Sequence, residues 1–203
     1  MEQGLATRIQ SFSKARSSAA SELRDYQAEP DDGLIGWYVT GDNHAFEALY
    51  RRHKDPLYRF FRRQLDEQAS HDAFQETWSK FIHNATRYRR QGKFKHYLFT
   101  IAYNVLHDTH RKALRQVTDE LLVEEVAADE ETETKAQSVE LRAHLLQAIS
   151  ALPAAQRDAW LLKQEAGFTL AEIAELTKTT TESVKSRLRY ANDKLKTRMQ
   201  KYV

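Results

Sequence analysis

Between Phe168 and Leu195 the chain carries two helix-start signals separated by one short polar turn. Thr169 followed by Glu172 reads as a capping box, in which hydroxyl and carboxylate satisfy the orphan amides of a helix start, and Thr179 with Glu182 reads as a second. Leu170, Ile173 and Ala174 supply the apolar stripe of a helix of about two turns, and Thr177-Lys178-Thr179 forms the turn. That is the punctuation of a helix-turn-helix. In the second helix Val184, Leu188, Ala191 and Leu195 fall on one buried side. The opposite side then carries Glu182, Ser186, Arg189 and Asp193, with Ser183 and Tyr190 beside them and Lys185 and Arg187 on the flanks. Short or forked polar groups toward base edges, with cations toward phosphates, suit a helix in a major groove. From Lys178 to Lys201 there are eight Lys/Arg against two acids. A solvated basic helix at the end of a bundle is the plainer alternative for the charge alone.

The same periodicity extends upstream. With only 6 Gly and 3 Pro in 203 residues and no strand-like alternation, the pattern predicts an all-α architecture of two small helical domains. The absence of cysteine excludes disulfides and thiolate metal sites. No apolar run approaches the ~20 residues of a membrane span and the N-terminus lacks a signal layout, so a soluble cytoplasmic protein is expected. A net charge of +2 conceals a segregation: Arg87 to Arg115 holds eight cations and one acid, Val117 to Thr134 eight acids and no cation. Two basic bodies joined by an acidic strap are therefore expected.

Residues 1–30, rich in Ser, Ala and charge, read as a mobile tail. From Asp31 a first domain runs to residue 114. Asp42 caps a helix whose Phe46, Leu49, Tyr50, His53, Leu57, Phe60 and Phe61 share one face, with Pro56 imposing a kink or restart. His53 on that stripe reads as a core or boundary histidine. The next helix, Ser70 to Ala85, buries Ala73, Phe74, Thr77, Trp78 and Phe81 and leaves Asp72, Gln75, Glu76 and Lys80 outward, a wet face or a partner surface. There follows a loop in which Arg87, Arg90, Lys93 and Lys95 alternate with Tyr88 and Phe94 around Gly92. Cations that track a backbone and rings that stack unpaired bases favour single-stranded nucleic acid, although Phe94 taken alone suits a core anchor. A helix from His96 to Lys112 turns Leu98, Ile101, Ala102 and Val105 inward and Thr100, Tyr103, His107, His110 and Arg111 outward, with Tyr97, Asn104 and Asp108 at the border. His107 and His110 lack an oriented third ligand, so neither metal nor other cofactor is expected. Residues 115–137 form the acidic linker and 138–203 the second domain. There Leu141, Leu145, Ala148, Ile149 and Leu152 make one apolar stripe, Pro153 starts the next helix and Gly167 ends it.

In order and spacing, several of these pieces resemble extracytoplasmic-function sigma factors of the sigma-70 superfamily. Asp42-Asn-His-Ala-Phe-Glu-Ala-Leu-Tyr50, Gln75-Glu76-Thr77 and Phe94-x-x-Tyr-Leu-x-x-Ile-Ala-x-Asn104 with Asp108 and Arg111 resemble their region 2. Leu152-Pro153, Arg157, Glu172-Ile-Ala174 and Val184-Lys-Ser-Arg-Leu188 are similar to their region 4. The resemblance implies a dissociable specificity subunit of bacterial RNA polymerase, which makes and breaks no bond. It implies that Asp72, Gln75, Glu76 and Lys80 dock on the core polymerase. Arg87, Tyr88, Arg90, Lys93, Phe94, Tyr97, Asn104, Asp108 and Arg111 would hold the melted minus-ten element. Thr180, Glu182, Ser183, Lys185, Ser186, Arg187, Arg189 and Tyr190 would read the minus-thirty-five duplex. An anti-sigma factor is a further implied partner. Three residues depart from the family pattern: Tyr97 replaces a usual Trp, Lys178 a common turn Gly, and Tyr190 a frequent Arg. Two other classes remain open from the residues alone. A dimeric helix-turn-helix repressor leaves the Gln75-Glu76 face without purpose, and a metal-dependent nuclease at His107, Asp108 and His110 lacks a second acid.

Overall fold

The computed structural model describes residues 24–89, 91–117, 136–200 and 202. Among them there are helices and no strand: α1 (Asp31–Val39), α2 (Asn43–Arg62), α3 (Glu67–Asn84), a 3-10 turn (Ala85–Arg87), α4 (Phe94–Val117), α5 (Ala136–Ser150), α6 (Ala154–Gln164), α7 (Leu170–Leu176) and α8 (Thr181–Met199). The all-α expectation holds, with α1–α4 as one body and α5–α8 as the other.

Each boundary has a local cause. Gly41, at φ +103°, ends the α1 turn, and Asp42 then accepts from the His44 amide to start α2. Asp66 accepts from the Ala69 amide, so α3 begins before the expected Ser70. Helix α2 continues through Pro56 without a restart. Along α2 the apolar stripe is buried as its spacing requires, and His53 is among the buried side chains, with Nε2 2.7 Å from Asp31 Oδ2. The core of this body is aromatic. Phe46, Trp78, Phe81 and Phe94 are buried together, with Phe46 edge-on to Trp78 and Phe81 edge-on to Phe94.

The segment expected as a tail is ordered from Arg24 onward. The Arg24 guanidinium and the Tyr26 hydroxyl both donate to Asp42 Oδ2, at 2.7 and 2.8 Å, and Tyr26 packs edge-on to Trp37. Arg52 donates to the carbonyls of Gln27 and Glu29. Burial opposes the charge on Asp42, but these two donors and the Ala45 and His44 amides outweigh it and hold the carboxyl below its usual range. Residues 1–23 lie outside the described residues. So does most of the acidic linker, because α4 runs on to Val117 and α5 starts at Ala136.

In the second body, Leu141 is exposed rather than on the buried stripe, whereas Ala148, Ile149 and Leu152 are buried as expected. Pro153 is the N-cap of α6, and Gly167 at φ +66° lets the chain reverse into α7. Phe168 follows, and its ring lies 5.4 Å from that of Phe99 on α4. The two bodies are in contact.

Candidate nucleic-acid interface

The first expected capping box is present in full: Thr169 Oγ1 accepts from the Glu172 amide at 3.2 Å, and Glu172 accepts from the Thr169 amide at 2.8 Å. The Thr169 amide and hydroxyl, both donating to Glu172, hold its carboxyl below its ordinary range. The second expected box, Thr179 with Glu182, does not form. Lys178 adopts φ +52°, its amide donates to the Glu175 carbonyl and the Thr179 amide to the Ala174 carbonyl. This is a Schellman closure of α7, the geometry for which a glycine is usual. With Thr179 used to close α7, the cap of α8 passes to Thr180, which accepts from the Ser183 amide. Glu182 is left exposed, 3.8 Å from Lys185.

The buried side of α8 is Val184, Ala191 and Leu195, with Leu188 partly buried against the core. Glu182, Lys185, Arg189 and Tyr190 are exposed, Ser183, Ser186 and Arg187 half-buried. Arg189 lies over the Tyr190 ring, 5.0 Å from its centroid, so the residue that replaces a frequent Arg orients the neighbouring one. Trp160 of α6 donates to Asn192 at 3.1 Å and braces α8 from behind.

In the first body, Arg87, Gln91, Gly92 and Lys93 are exposed and Tyr88 and Tyr97 half-buried, with rings 5.1 Å apart. Arg90 lies outside the described residues. Phe94, expected at the DNA surface, is only 1% exposed and packs on His53 and Phe81. It is the core anchor that its lone-residue reading suggested. Further along α4, Asn104 and Arg111 are exposed and Asp108 accepts from Arg111 at 2.6 Å. The loop runs into α4, whose exposed edge is polar, with Arg111 paired to Asp108.

On α3 the outward set is in place. Asp72 and Gln75 are exposed, while Glu76 and Lys80 pair at 2.7 Å. Among the described residues Gln75 stays exposed, whereas Ala73, Phe74, Thr77 and Trp78 are buried beneath it.

The contact between the bodies was not legible in the sequence. Phe99, absent from the expected inward set of α4, is fully buried between Phe60 and Phe168. Glu165, at the end of α6, accepts from Arg59 Nε at 2.7 Å and from Arg63 Nε at 3.4 Å. Asp158, 4% exposed, accepts from the Tyr103 hydroxyl at 3.3 Å and lies 3.5 Å from His107 Nε2. Tyr103 and His107 thus meet α6, where the sequence placed them on an open face. Burial, then Asp158, pushes the Tyr103 hydroxyl up, while Arg187 opposes the shift. Burial and the neighbouring Arg157 and His107 push His110 down. The groove between the bodies therefore takes up one flank of α4 and brings Arg187 of α8 near Tyr103.

Comparison with known proteins divides the chain at the same place. A sigma-70 region 2 model matches residues 49–116 and a sigma-70 region 4 model matches residues 142–195. The RNA polymerase sigma factor CarQ of Myxococcus xanthus is 32% identical over 146 residues, 68% of this chain and 80% of the relative. The ECF RNA polymerase sigma factor SigM of Mycobacterium tuberculosis is 29% identical over 167 residues, 81% of this chain and 82% of the relative. Among solved structures, the sigma factor RpoE from Bartonella quintana, in complex with the anti-sigma factor NepR, superposes with a TM-score of 0.65 at 22% identity. That match covers 76% of this chain and 96% of that one. CnrH, in complex with the cytosolic domain of CnrY, gives 0.62 at 20% identity, covering 83% and 96%. At these identities the solved structures show a shared fold.

Proposed function

The chain belongs to the extracytoplasmic-function group of the sigma-70 family, and from that premise we propose how its surfaces divide the work of starting transcription. It binds core RNA polymerase and directs promoter recognition, strand opening and initiation, acting in the cytoplasm as a subunit that performs no chemistry of its own. The α3 face of Asp72, Gln75, Glu76 and Lys80 docks on the core enzyme. Arg87, Tyr88, Arg90, Lys93, Tyr97, Asn104, Asp108 and Arg111 hold the melted minus-ten strand, with ring stacking and hydrogen bonds offsetting the cost of unpairing. Thr180, Glu182, Ser183, Lys185, Ser186, Arg187, Arg189 and Tyr190 read the minus-thirty-five duplex, cations on phosphates and Arg189 at base edges.

The observation that carries this reading is the pairing of two unlike surfaces on one chain, an aromatic and cationic loop beside α4 and a capped recognition helix at α8, with the α3 face exposed among the described residues. A repressor needs only the second. The closed contact adds a constraint. By their names the two promoter elements lie about 25 base pairs apart, about 85 Å of duplex, whereas a compact chain of this length is about 45 Å across. Both elements are reached together only after the bodies part. Polymerase binding supplies that separation, and an anti-sigma factor, the kind of partner found with RpoE, holds the bodies together.

The test is transcription from a pooled promoter library by bacterial core polymerase with and without the protein. New starts sharing paired upstream elements are expected. No new starts together with no core binding would overturn the reading in favour of the repressor.

A further inference from the structure

Adjacent acids open α1, and they face different ways. Asp31 is committed to α2, with Oδ1 2.5 Å from Arg52 and Oδ2 2.7 Å from His53. Asp32 is committed to the loop. Its Oδ1 accepts from the Tyr88 hydroxyl at 2.9 Å and its Oδ2 from the Gly92 amide at 2.6 Å. Neither oxygen of Asp32 serves its own helix start, where Pro30 is the N-cap and no side chain caps.

One carboxylate therefore bridges the two stems of the loop between the 3-10 turn and α4. Tyr88 ends the descending stem, its ring held by Tyr97 at 5.1 Å and edge-on by Phe94 at 5.9 Å. Gly92 begins the ascending stem at φ +67°, a conformation glycine adopts without strain. Both bonds have a charged acceptor, the stronger kind of hydrogen bond. Burial of Tyr88, and Asp32 after it, keeps the phenol protonated and donating. Without this carboxylate the tie between the Tyr88 hydroxyl and the Gly92 amide is lost, and Tyr88 keeps its ring packing on Phe94 and Tyr97.

We propose that Asp32 is the positioning residue of the minus-ten loop: by tying Tyr88 to Gly92 it fixes where Arg87 and Lys93 stand, and with them base preference at the melted strand. This rests on the assignment of the loop to the minus-ten element. Asp32 touches no DNA in this account and acts through the two groups that it holds.

Substitution chemistry separates this role from bulk stability. Asn at position 32 keeps both links, because its carbonyl accepts from Gly92 and its amide donates to the Tyr88 hydroxyl, which accepts as well as donates. Ala keeps neither. The test compares holoenzymes carrying wild type, Asp32→Ala, Asp32→Asn and the direct loop change Arg87→Ala with Lys93→Ala. Opening is read by permanganate reactivity of unpaired thymines on promoters varied at each minus-ten base, with core affinity and melting temperature measured alongside. Asp32→Ala is expected to flatten minus-ten preference at least about fivefold, since each of the two links it removes is worth no less than one net hydrogen bond, at unchanged core affinity, and Asp32→Asn to restore it. Asp32→Ala that retains the wild-type preference, while the Arg87/Lys93 change shifts it, would overturn the proposal and leave the loop assignment standing. If neither change shifts the preference, the loop assignment fails and the proposal with it. Loss of core affinity and melting temperature in both Asp32 variants would make the residue structural and overturn it as well.

Discussion

Phe168, in the turn that leads into α7, meets Phe99 of α4 edge-on, with ring centroids 5.4 Å apart and planes at 82°. The contact joins α4, which follows the Arg87–Lys93 loop, to the start of the helix-turn-helix, and it is flanked by Glu165 with Arg59 and Arg63. Charge reversal at Glu165 leaves both rings in place and sets a cation against two others. Glu165→Lys should therefore weaken closure by about 1–2 kcal/mol, between the worth of an exposed and a buried pair. A larger radius of gyration by small-angle scattering and unchanged helix content would show it.

Arg189 is the strongest single test of upstream recognition. It is exposed on α8 and steadied by the Tyr190 ring. Arg189→Ala should lower discrimination among minus-thirty-five sequences by about 1–3 kcal/mol, the range for one paired base contact. Competition binding of the holoenzyme to single-base variants measures this, and a site preference identical to wild type would remove Arg189 from the reading set.

Glu76 tests the docking face. Its local partner is Lys80, one turn on, an exposed pair worth about 0.3–0.5 kcal/mol. Glu76→Lys should thus leave the urea midpoint almost unmoved while weakening core polymerase binding. Undiminished affinity would place the docking surface elsewhere.

Lys178 is held in left-handed backbone at φ +52°. An L residue there costs roughly 1–2 kcal/mol, and glycine gives back part of that through unfolded-state entropy. Lys178→Gly should stabilise the C-terminal body by about 0.5–1 kcal/mol in denaturant melts, with minus-thirty-five selectivity retained.

These residues also show what a sequence discloses. The stripe on α2 and the Thr169–Glu172 box were legible because each is closed within a few residues, where helical spacing alone determines the neighbours. The cap at Thr180 was misplaced by one because the φ of Lys178, which no side-chain pattern encodes, decides how many residues the turn consumes. Phe94 was ambiguous, since a ring beside cations suits either a core or a base until its burial is known. The docking of Arg24 and Tyr26 on Asp42, the grip of Asp32 on Tyr88 and the meeting of Phe99 with Phe168 pair residues far apart in the chain. Helical period carries no information about such partners.

Because the chain has no cysteine, a donor and an acceptor dye can be placed at Glu67→Cys and Lys196→Cys, exposed positions on α3 and α8. Energy transfer between them, read in the free protein and after addition of core polymerase, tests most directly whether the two bodies hold each other until polymerase parts them. High transfer that falls on polymerase binding, and falls already in the free protein with Glu165→Lys, is the predicted result. Transfer that stays unchanged when polymerase binds would contradict it.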